Sequence, residues 1–146
     1  MAASKSVASK KYFTVAEANA RLPLVRAIVR DIMALAQDLR ERHERLTRIR
    51  GKEHGALGEA YQEELQQAQD DFDREQEQMH AYAQELHDLG VELKEPLIGL
   101  VDFPGWMNGR EVYLCWRAGE PEVGYWHELD AGFPGRQKIR METRKS

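Results

Sequence analysis

The chain has 146 residues, of which 42% are hydrophobic and 32% charged, with a formal net charge of −4 and one cysteine, Cys115. That length suits one hydrophobic core, the composition excludes wholesale disorder, and a lone cysteine excludes an intrachain disulfide, so a reducing compartment, the cytoplasm, is expected. No apolar run is long enough for a membrane span or a signal peptide, so no membrane partner is expected.

Charge divides the chain into three. Residues 1–12 carry three lysines and no acid, residues 136–146 carry five basic residues and Glu142, and the stretch between is strongly acidic. A single domain over 13–135, with helices over 14–90 and a sheet over 96–130, is expected between two basic tails. Phosphate binding needs basic residues gathered on one folded face, which makes nucleic acid an unfavoured partner.

Thr14 followed by Glu17 is a capping box and opens the first helix. Pro23 belongs in a first turn, so 15–21 is expected either as a separate short helix or as a kinked start to a long one reaching about Arg50. Ile28, Ile32, Leu35, Leu39, Arg42, Leu46 and Ile49 alternate at spacings of four and three, one helical seam. Gly51, Gly55 and Gly58 mark a reversal. Tyr61, Leu65, Ala68, Phe72, Glu75, Met79, Tyr82, Leu86 and Leu89 then form an unbroken second seam, closed by Gly90. At about 1.5 Å per residue it spans roughly 40 Å, so part of a coiled-coil-like hairpin should protrude. The first helix is basic and the second acidic, which favours their pairing. If the hairpin reverses symmetrically near residue 55, Arg42 and Glu75 stand about two turns apart, and contact between them would require another subunit.

After Gly90 the period changes to two. Residues 97–103, 110–116 and 124–128 read as three strands of an antiparallel meander, with a tight turn at Asn108-Gly109 and a second reversal at Gly119 to Pro121. The fold class is therefore α+β, a long helical hairpin followed by a three-stranded meander. Val112, Leu114 and Trp116 share one face, and Tyr113 and Cys115 share the other.

Candidate chemistry concentrates near the C-terminal end of the sheet. Asp102, His127, Glu128 and Asp130 are ligand types for a divalent metal. Strand alternation opposes this set, because His127 points away from Glu128 and Asp130 unless the strand bulges. The competing reading is a semi-buried histidine bonded to a carboxylate. Arg110, Trp126 and Arg136 are candidates for an anion or small-ligand pocket, and the Gly132 to Arg136 loop either meets an anion or simply closes the last strand. His80 and His87, seven apart, stand roughly 10 Å from each other, too far for one ion. His43 and His54 read as surface residues of the hairpin tip, and Cys115 as packed in the sheet rather than catalytic. The arginines at 40, 42, 45, 48 and 50 are interrupted by Glu41 and Glu44 and read as a solvated helix flank.

The stretches 12–23 (YFTVAEANARLP), 99–104 (GLVDFP), 109–117 (GREVYLCWR) and 124–136 (GYWHELDAGFPGR) together resemble a bacterial family catalogued as domain of unknown function 2203. The resemblance covers nearly the whole chain and implies no activity. It directs attention to Asp102, Arg110, Trp116, Glu122, Trp126, His127, Glu128, Asp130 and Arg136, and carries no catalytic role to any of them. The expected function is a non-enzymatic module that homo-oligomerises through its helices and presents the terminal loop of the sheet to a protein partner; a divalent-metal-binding protein, with hydrolysis as one use of the metal, is the alternative, and an anion or small-ligand binder the third.

Overall fold

The computed structural model describes residues 10–51 and 58–140. Helix α1 runs Val15–Gly51 and helix α2 runs Glu59–Asp88. Five strands follow: β1 Glu92–Glu95, β2 Leu100–Met107, β3 Arg110–Arg117, β4 Tyr125–Glu128 and β5 Gln137–Lys138, with a 3-10 turn at Phe133–Gly135. They form one antiparallel sheet in the order β1-β2-β3-β4-β5.

The capping box forms at α1: the Glu17 carboxylate accepts the Thr14 N–H at 2.9 Å, and the Thr14 hydroxyl accepts the Glu17 N–H at 3.0 Å. Pro23 neither starts a second helix nor ends the first; it sits exposed inside α1, which continues through it. It removes one i→i−4 hydrogen bond, at the carbonyl of Asn19. The reversal glycines Gly51 and Gly58 flank the hairpin tip, whose residues 52–57, including His54 and Gly55, lie outside the described residues. Past α2, Gly90 adopts φ +89° and donates its N–H to the His87 carbonyl, turning the chain into the sheet.

Two expectations are corrected. The sheet has five strands rather than three, because β1 (ELKE) and β5 are too short and too charged to show an apolar alternation. The first expected strand is also displaced: residues 96–99 form a turn in which Gly99 adopts φ +68°, and β2 begins at Leu100 and runs past Phe103 to Met107, through Pro104. The proline is tolerated because β1 pairs β2 only over residues 100–102, so its missing N–H leaves no neighbour unpaired, while its carbonyl accepts the Phe13 N–H at 2.8 Å. The second correction is the hairpin register. Arg42 Nε lies 3.0 Å from Glu75 Oε1 within one chain, with Asp38 and Asp71 each at 3.4 Å from the same guanidinium. No second subunit is needed, because Arg42 sits beside Ala68 and Asp71 and its long side chain spans the remaining turn to Glu75.

The main core joins Val25, Val29, Ile32 and Leu86 of the helices to Val101, Phe103, Val112, Leu114, Trp116 and Trp126 on one sheet face. A second, smaller cluster in the distal hairpin consists of Leu46, Ile49 and Ala68, flanked by the half-buried Tyr61, Leu65 and Phe72. The Arg42 ion pairs lie between the two clusters, so the hairpin divides into a base held by the sheet and an arm that carries its own thin core.

Candidate functional site

The side chains on the other sheet face are set by register. The two-residue turn at Asn108 (φ 54°) and Gly109 (φ +80°) pairs Met107 with Arg110, and counting outward from it places Asp102 opposite Cys115. On the far side of β3, Tyr113 pairs with His127 and Cys115 with Tyr125. Asp102, Cys115 and His127, from three adjacent strands, therefore converge, their donor atoms all within 4.8 Å of one another. Asp102 and His127 are each 2% exposed and are the buried polar residues of the described chain; Cys115 is fully buried beside them.

The hydrogen bonds fix the protons. His127 Nδ1 lies 2.7 Å from the Glu128 carbonyl oxygen, which only accepts, so Nδ1 carries a hydrogen. Nε2 lies 3.1 Å from both oxygens of Asp102. One proton is therefore shared between Nε2 and the carboxyl group. Burial pushes the Asp102 pKa up, against the opposing pull of His127, the adjacent thiol and Lys94. Burial, reinforced by the neighbouring carboxylate and only partly offset by Arg136, pushes the Cys115 thiol up to about 12. At neutral pH the sulfur holds its proton and is a poor nucleophile. The Tyr113 ring stacks at a tilt on His127, with centroids 5.5 Å apart, and its hydroxyl bonds Glu92 of β1.

The other sequence candidates do not join this cluster. Glu128 points to the helix-facing side and takes a two-pronged hydrogen bond from Arg110, at 3.2 and 2.5 Å. That bond holds the Glu128 carboxyl below its ordinary range. Asp130 and Glu122 are exposed. Arg110 stands 5.8 Å from the Trp126 ring, whereas Arg136 lies on the opposite face, between Tyr125 at 4.0 Å and Phe133 at 5.0 Å. The three proposed ligand-binding residues thus occupy two faces. Arg136 donates to Glu120 Oε1 at 2.7 Å and to the Cys115 carbonyl at 3.4 Å, so the Gly132 to Arg136 loop is tied back to the sheet through its own cation. Trp116 is buried, its indole N–H on the Glu120 carbonyl at 3.0 Å. His43, which rests near the Phe72 ring, His80 and His87 are exposed. Cys115, read from the sequence as packing, is the member that the candidate metal set lacked.

Two helices laid on one face of a five-stranded antiparallel meander, with a buried acid, thiol and imidazole on the other, define an α+β domain with a polar centre inside its sheet. No described helix is long and apolar enough to cross a membrane. The chain belongs to the family described as Uncharacterized conserved protein (DUF2203), whose model matches residues 11–139. No curated protein and no solved structure matches it.

Proposed function

We propose that the protein is a non-enzymatic assembly module that self-associates through its helical arm. The observation that carries this reading lies between the two core clusters. Leu35 and Leu39 occupy the α1 seam, are half-buried, and belong to neither cluster. Leu35 and Tyr82 border a shallow groove rimmed by Asp31, Asp38 and Glu41. Each further Å² of such apolar surface taken from water contributes about 25 cal/mol, so covering it favours association.

Charge favours a second copy as the cover. Arg45, Arg48 and Arg50 are exposed on the same helix nearer the tip. A two-fold axis crossing the arm brings the basic flank of each chain to the acidic rim of the other, so the complementarity is counted twice. Among the described residues the arm's own core is three buried side chains, and helices of this length in water depend on packing rather than on propensity.

Size-exclusion chromatography with light scattering tests the reading. The wild type is expected as two or more chains per particle at tens of micromolar, and the double variant Leu35→Glu/Leu39→Glu as a single chain with unchanged circular dichroism. A monomeric wild type, or association undisturbed by the double variant, contradicts it.

A further inference from the structure

The centre described above holds a combination of groups that is costly to keep dry. A carboxyl group, an imidazole and a thiol are removed from water in the middle of a sheet, where apolar residues would pack at no desolvation cost. We propose that Asp102, Cys115 and His127 are the protein ligands of one zinc-class transition-metal ion. The proposal is independent of the arm and of its association.

The donor set selects the class of ion. One sulfur, one nitrogen and one oxygen suit zinc, cobalt(II) or copper rather than magnesium or calcium, which take oxygen alone. The protonation pattern suits it as well. The Glu128 carbonyl holds Nδ1–H and so turns Nε2 toward the other two ligand groups; metal-binding histidines are commonly oriented by such an outer hydrogen bond. Spacing fits too. Bonds of about 2.0 Å to nitrogen and oxygen and about 2.3 Å to sulfur, in tetrahedral geometry, separate ligand atoms by roughly 3.3–3.5 Å. Nε2 and the Asp102 oxygens stand at 3.1 Å, and the whole trio lies within 4.8 Å, so sub-ångström to ångström shifts bring all three onto one centre.

Charge closes the argument. Binding a divalent ion expels two protons, one from the Cys115 thiol and one from the hydrogen bond shared by His127 and Asp102. Thiolate, carboxylate and dication then sum to zero, which is the charge state that a buried site tolerates best.

The test uses the full chain, stripped with chelator and then titrated with Co²⁺ or Zn²⁺. The expected results are one Co²⁺ per chain with a thiolate-to-cobalt charge-transfer band, and one Zn²⁺ retained through gel filtration. At a hundred times Kd, Zn²⁺ should raise Tm by about 5–10 °C. Cys115→Ser should abolish the charge-transfer band, and Asp102→Asn, which preserves the shape of the site, should weaken binding by more than about a hundredfold. His80→Gln/His87→Gln should bind as the wild type does. A wild type with no charge-transfer band and no thermal shift at saturating metal overturns the proposal. Wild-type binding by Asp102→Asn or by folded Cys115→Ser also overturns it.

Discussion

Truncating His127 and neutralising Asp102 should have very different costs in the metal-free protein. His127→Ala removes the partner of a carboxyl group that is 2% exposed, removes the donor to the Glu128 carbonyl, and leaves a hole the size of an imidazole. The buried Asp102 carboxyl loses its partner at about 1–3 kcal/mol, the Glu128 carbonyl keeps the Ala131 N–H, and the hole adds roughly 2 kcal/mol, so about 3–5 kcal/mol is expected. Asp102→Asn keeps the volume. Its amide N–H donates to the Nε2 lone pair, its carbonyl faces the Cys115 thiol, and Nδ1–H stays on Glu128. The neutral pair is complete, and the cost should be under about 1 kcal/mol. Equilibrium urea unfolding of chelator-treated protein, with the slope unchanged between variants, measures both. If Asp102→Asn costs as much as His127→Ala, the pair depends on full charge separation and the shared-proton account fails. If His127→Ala costs less than about 1 kcal/mol, the site is not the closed, dry centre described.

Three further outcomes follow from single positions. Gly99 has φ +68°, and a Cβ there would meet Ala118 at 2.7 Å and Met33 and Val29 at 2.8 Å; Gly99→Ala should cost about 2–4 kcal/mol in urea unfolding, against under about 0.5 kcal/mol for Gly124→Ala, which meets nothing within 4 Å. Because its thiol ionises near pH 12, native Cys115 should alkylate slowly, with a rate still rising at pH 10 and no plateau at the usual thiol range; a plateau near pH 9 would contradict its burial beside Asp102. The Glu128 carboxyl, lowered by Arg110, should titrate below an ordinary glutamate by NMR and return upward in Arg110→Gln, and its small contribution to stability should be present above the unfolded carboxylate range and fade as pH falls through the folded value.

How much of this was legible depends on whether a feature is local. The capping box, the two seams, the Gly90 stop and the Asn108-Gly109 turn each rest on a few neighbouring residues, and each appears where those residues put it. The edge strands β1 and β5 were not legible. Glu92 to Glu95 is charged at three of four positions, and only its pairing with Asp102, Val101 and Leu100 makes it a strand. The contact of Arg42 with Glu75 depended on side-chain reach: the backbone puts Arg42 beside Ala68 and Asp71, and the guanidinium covers the further turn to Glu75. Convergence at the sheet was half legible. Alternation separates Glu128 from His127, and counting from the Asn108-Gly109 turn brings Asp102 opposite Cys115. Reading cysteine as mere packing concealed the third member, and the place of His127 beside them depends on a longer β3–β4 connection whose register no short motif sets.

The claim on which the account most depends is that the arm needs a second chain to cover it. Amide hydrogen exchange across residues 59–80, measured from about 1 to 100 μM protein, tests it directly. Protection of these amides should rise with concentration while that of β2 and β3 stays constant. Arm protection that is the same at every concentration, in a particle of one 16.9 kDa chain, would mean that the hairpin stands by itself.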